Sequence, residues 1–65
     1  MVLSKRQLQV LLLICEGLTG KEIAHRLGIA PKTVEFHRAG MYERLGLKTT
    51  ARLVRYAIRM GLIEP

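Results

Sequence analysis

Apolar residues along this chain recur at steps of three and four, in windows broken by glycine or short polar stretches, which predicts helices rather than strands. Ser4 and Gln7 have the spacing of a capping box and open a first helix from about residue 4 to 16. Leu8, Leu11, Leu12, Ile14 and Cys15 form its inward face, Val10 and Leu13 widen the arc, and Gly17 offers a stop. Thr19 and Glu22 repeat the capping-box spacing before a short second helix, residues 20–27, whose inner face is Ile23, Ala24 and Leu27 and which Gly28 ends. Pro31 suits the first position of a third helix over 31–45, closed by Gly46. Ala30 is a poor cap for it, and another group is expected to cover that helix start. Thr49 caps a fourth helix, residues 50–60, with Leu53, Val54, Ala57 and Ile58 inward and Gly61 after it. No period-two alternation or internal repeat appears outside these windows. The fold class is all-α, with residues 1–65 as one four-helix domain.

A chain of 65 residues has little material for a core, so compact packing and good caps must stabilise it. One cysteine, Cys15, can form no internal disulfide, and with His25 and His37 it does not make a four-ligand zinc site, so no metal or cofactor is expected. The longest apolar run, Val10 to Cys15, is six residues, too short to span a bilayer, and a cytoplasmic protein is expected. Catalysis needs a nucleophile with a base, paired carboxylates or a metal cluster, and Cys15, His25, His37 and five scattered glutamates supply none. No catalytic residue is assigned.

Charge changes the picture most. Eleven Lys and Arg against five acidic residues give a net charge of +6, which favours a polyanion. Phe36, Tyr42 and Tyr56 are the only aromatics, too few for a single-strand stacking platform, so duplex DNA is the better partner. Thr19 to Leu45 reads as short helix, turn with Gly28, longer helix: the helix-turn-helix plan, which a generic helical hairpin shares in part. Ile23, Ala24, Leu27, Ile29 and Val34 can close the core between the two helices. On the third helix Val34, His37, Met41 and Leu45 face inward, making His37 a hydrogen-bonded core histidine. Lys32, Glu35, Phe36, Ala39 and Glu43 take the outer surface.

The opening LSKRQLQVLLLICEGLTGKEIAHRLGIAPKTVEFHR, Leu3 to Arg38, and the ending LGLKTTARLVRYAIRMGLI, Leu45 to Ile63, resemble the LuxR-type helix-turn-helix family, also called the NarL/FixJ or GerE type. GLTGKEIAHRLGI and KTVEFHR look most like its FixJ-like response-regulator branch, transcription factors under a phosphorylated receiver domain. The resemblance implies a third helix in the major groove and a fourth that makes a weak homodimer through residues such as Val54 and Ile58. It implies base-edge contacts from Glu35, Phe36 and Ala39, and phosphate contacts from Lys21, Lys32, Thr33 and Arg38. Glu35 can accept from a cytosine amine, Phe36 and Ala39 can touch a thymine methyl, and none can fork to guanine as arginine does. Glu35 can instead pair with Lys32 or Arg38 along the helix. A receiver domain outside this chain and contact with RNA polymerase are the further partners implied, and no membrane is.

Two rivals stay open: a protein-only interaction module that has lost its DNA contacts, and the helix-turn-helix region of sigma factors. The latter shares the GLTGKEIAHRLGI-like layout but usually ends soon after its reading helix. Leu8 and Leu12, where the family usually has polar residues, either enlarge the core or dock a regulatory domain.

Overall fold

The computed structural model describes residues 2–65 and contains, among them, helices α1 (Lys5–Cys15), α2 (Gly20–Leu27), α3 (Pro31–Leu45) and α4 (Thr50–Arg59) and no strand. The predicted capping residues set the first two starts. The Ser4 N–H donates to Gln7 Oε1 at 2.9 Å while the Gln7 N–H donates to Ser4 Oγ at 3.1 Å, and Thr19 and Glu22 repeat the exchange at 2.8 and 3.2 Å. Each box satisfies two N–H groups that a helix start leaves without partners. On α4, Thr49 Oγ1 accepts from the Arg52 N–H at 3.2 Å. α3 has Pro31 in its first turn and no side-chain cap at Ala30, and no other side chain among the described residues caps it in its place. Its Thr33 and Val34 N–H groups turn back to the Ala30 carbonyl at 2.9 and 3.2 Å.

α1 is the hub. It packs against the other three helices, α2 and α3 pack against each other, and α4 packs mainly on α1, meeting α3 through the Tyr42 and Thr50 hydroxyls 3.4 Å apart. One cluster of buried side chains results: Leu3, Val10, Leu11, Leu13 and Ile14, with Ile23 and Ala24, Val34 and Met41, and Leu53 and Ala57. Fully burying one such Leu, Ile, Val or Met side chain stabilises by about 1.5–3 kcal/mol, so a few contacts decide whether a domain of this size folds.

The inward face of α1 is rotated from the one its spacing predicts. Val10 and Leu13 are buried with Leu11 and Ile14, whereas Leu8, Leu12 and Cys15 are only half-buried. Helices press on α1 from several sides, so the covered arc is set by where α2, α3 and α4 lie and not by the centre of the apolar stripe. Leu12 packs at the core's edge. On α4 the covered pair is Leu53 and Ala57, and Val54 and Ile58 are half-exposed beside it.

A glycine in mid-helix weakens the helix by about 1 kcal/mol relative to alanine, so Gly40 in α3 calls for a packing reason. A Cβ there would lie 2.9 Å from Gln7 Nε2. Gly40 therefore leaves room for the side chain that caps α1, where α1 and α3 meet.

Candidate nucleic-acid interface

α2 and α3 are joined by three residues. Gly28 takes a left-handed conformation, φ +69°, that side chains rarely adopt, and the Ile29 N–H reaches back to the Ala24 carbonyl at 3.0 Å. Ala24 is buried near this turn and brings little bulk to the approach of the two helices. The turn throws α3 across α2, burying Val34 and Met41 and leaving the opposite face of α3 in solvent.

On that face Lys32, Glu35, Phe36, Ala39 and Glu43 are all exposed, as their spacing predicts. Phe36 is 75% exposed, in the first half of α3. An aromatic ring in water gains nothing for folding. Its ring meets His37 edge to face, with centroids 5.6 Å apart. His37 is not the core histidine its place in the stripe suggested. It is half-buried, and no side-chain hydrogen bond among the described residues reaches its ring, because Val34 and Met41 fill the inward centre and leave His37 at the edge.

The other site residues spread over two helices. Lys21 is exposed in the first turn of α2. The Glu35 carboxylate crosses to the same turn, its Oε1 3.2 Å from where a Cβ on Gly20 would stand. The α2 start carries partial positive charge, which suits a carboxylate there. Thr33 and Arg38 are half-buried. The Arg38 guanidinium lies 5.7 Å from the Tyr42 ring centroid, one turn further along α3. That stacking holds its charge at the edge of the exposed face. Spacing alone could have found it, since residues four apart are helix neighbours; the Glu35–Gly20 approach links two helices and had no local signal. Val54 and Ile58 stand apart from these residues, half-exposed on α4.

Two carboxyl and thiol groups are perturbed. Glu22 is held below the usual carboxylate range by the Thr19 backbone N–H, then the Thr19 side chain, with help from Arg26. Burial pushes the Cys15 thiol up, which disfavours the thiolate a nucleophile needs. Among the described residues no group of three or more His, Cys, Asp or Glu could hold a metal ion, and no helix is long and apolar enough to cross a membrane.

A short helix, a left-handed glycine turn and a second helix presenting an exposed face with an aromatic ring define a helix-turn-helix domain of the DNA-binding regulator class. Comparison with known proteins agrees. The family described as bacterial regulatory proteins, luxR family, matches residues 1–57, and the chain belongs to that family. The oxygen regulatory protein NreC of Staphylococcus aureus, for example in strains JH9 and USA300, is 46% identical over 63 residues, covering 97% of this chain and 29% of that protein. The chain thus spans less than a third of the length of these curated relatives.

Proposed function

We propose that this domain reads duplex DNA with α3 in the major groove, as the effector part of a cytoplasmic response regulator whose receiver domain lies outside this chain. Phe36 and Ala39 meet base edges, with Glu35 at the rim reaching a cytosine amine when it leaves the α2 start. Lys21, Lys32, Thr33 and Arg38 take phosphates. The exposure of Phe36 on a face that also carries Lys32 and Arg38 is the observation that carries this reading. The uncapped start of α3 supports it, because its free N–H and dipole suit a phosphate oxygen.

Most of the affinity comes from phosphates and is salt-sensitive, since each neutralised phosphate releases counterions. Two copies pair through Val54 and Ile58, whose half-exposed side chains border the α4 core contact. The two readers then fall on half-sites about one helical turn, 34–36 Å, apart. Contact with RNA polymerase is one way such a bound dimer would act on transcription.

The test is selection of the domain against a random-sequence duplex pool at low and moderate salt. An enriched inverted repeat with half-sites one turn apart is expected. Absence of any duplex binding would replace this reading with a protein-only module.

A further inference from the structure

α4 carries a second charged surface that the DNA reading does not use. Arg52, Arg55 and Arg59, spaced along one side of the helix, line with Leu47 and Tyr56 a shallow cleft of about 190 Å³. No carboxylate lines it, and the α4 sequence, TARLVRYAIR, contains no acidic residue. The arginines therefore repel one another along the helix with nothing of opposite sign beside them. Arg52 also sits in the first turn, where the helix dipole disfavours a cation. Neither arrangement serves folding, and both are relieved by an anionic ligand.

The shape of the cleft narrows the ligand. Guanidinium forks match carboxylates and phosphates alike, two oxygens at a time, so the choice between them rests on Leu47 and Tyr56, the apolar part of the lining. A sugar-phosphate strand has no side chain to place on such a surface. The cleft also lies past the far end of α3. From Phe36 to Leu45 the helix rises on the order of 13 Å, and Leu47 follows the closing Gly46, so the cleft lies beyond the far end of the proposed reading half of α3. A second copy of this chain, itself at +6, is no complement. Val54 and Ile58 are not among the lining residues, so pairing through them leaves the cleft open.

We infer that the Arg52–Arg55–Arg59 cleft is a docking site for an acidic segment of a protein partner, one whose carboxylates flank an apolar side chain seated on Leu47 and Tyr56. The exclusion of DNA rests on the groove reading above, and the experiment separates the two. A fluorescently labelled ten-residue peptide alternating aspartate or glutamate with leucine serves as the probe, titrated into the 65-residue chain, with an all-glutamate peptide as control. Amide shifts should move at Leu47, Arg55 and Tyr56, and the leucine-bearing peptide should bind more tightly than the control. Arg55→Ala with Arg59→Ala, both exposed positions, should weaken the peptide by about tenfold or more while duplex affinity changes by about threefold or less. Parallel loss of peptide and duplex affinity would assign these arginines to phosphates and overturn the docking site. So would equal binding of both peptides, peptide shifts centred on Lys21, Lys32 and Arg38, or no peptide binding. Loss of duplex binding by the unmutated chain would count against the groove reading alone.

Discussion

α4 is strongly amphipathic by sequence and α3 hardly at all, and the two helices differ in how far folding explains them. α4 is fully sorted: a Thr49 cap, Leu53 and Ala57 buried, arginines outward. α3 breaks the sorting twice, leaving its start without a side-chain cap and putting Phe36 in water. The first forgoes stability that a capping side chain would recover, and the second leaves an aromatic ring where it gains nothing for folding. Both lie in the first half of the helix, where a helix-turn-helix meets base edges and phosphates. On the proposed reading the apolar side of α4 helps hold the domain together and the first half of α3 meets DNA.

The sharpest way to break this comparison is to exchange the damage. Leu53→Ala empties a fully buried position where α4 packs on α1 and should cost about 2–5 kcal/mol in urea unfolding, enough to leave much of the domain unfolded. Phe36→Ala, at the exposed position, should change stability by about 0.5 kcal/mol or less and instead alter base preference in duplex selection. A large stability loss at Phe36 would remove the functional reading of its exposure.

Capping α3 comes next. Ala30→Asp places a carboxylate where the N–H groups lack a side-chain partner and should raise stability by about 1 kcal/mol. The same substitution should weaken duplex binding at low salt, because the carboxylate occupies the position proposed for a phosphate. Stability and affinity rising together would contradict the role given to the helix start.

Arg38→Ala should lower affinity for all duplex sequences alike and reduce the salt slope by about one charge, since a phosphate contact carries no sequence information. A change confined to some sequences would make Arg38 a base reader. The smallest effect is at Glu22. Its folded-state pKa is depressed, so its capping contribution is fully present above the unfolded value, about 4.3, and is lost as pH falls through the lower folded value. Glu22→Gln keeps the cap geometry, as Gln7 does on α1, and should flatten the acid limb of the α2 amide protection profile.

The four helices were legible because each boundary had a local chemical cause: a serine or threonine three residues ahead of Gln7, Glu22 or Arg52, a proline at α3, a glycine past the ends. The outward residues of α3 were legible for the same reason, since period alone separates Phe36 from Val34. What escaped depended on neighbours. The buried arc of α1 turned toward Val10 and Leu13 because helices cover it from several sides, and His37 moved to the edge because Val34 and Met41 fill the centre. Glu35 found the α2 start only once the turn had placed it there. Spacing places Arg52, Arg55 and Arg59 on one flank of α4, but the cleft they form with Tyr56 also needs Leu47, beyond α3, which the helix period does not reveal.

The central claim is that the exposed first half of α3, and not α4, meets DNA. Amide shifts of the isotope-labelled domain, titrated with a duplex recovered by selection, test it most directly. The account predicts the largest changes at Lys32, Thr33, Phe36 and Ala39, with Lys21 following, and little change at Arg55 and Arg59. Shifts concentrated on Arg52, Arg55 and Arg59 with Phe36 unmoved would contradict it.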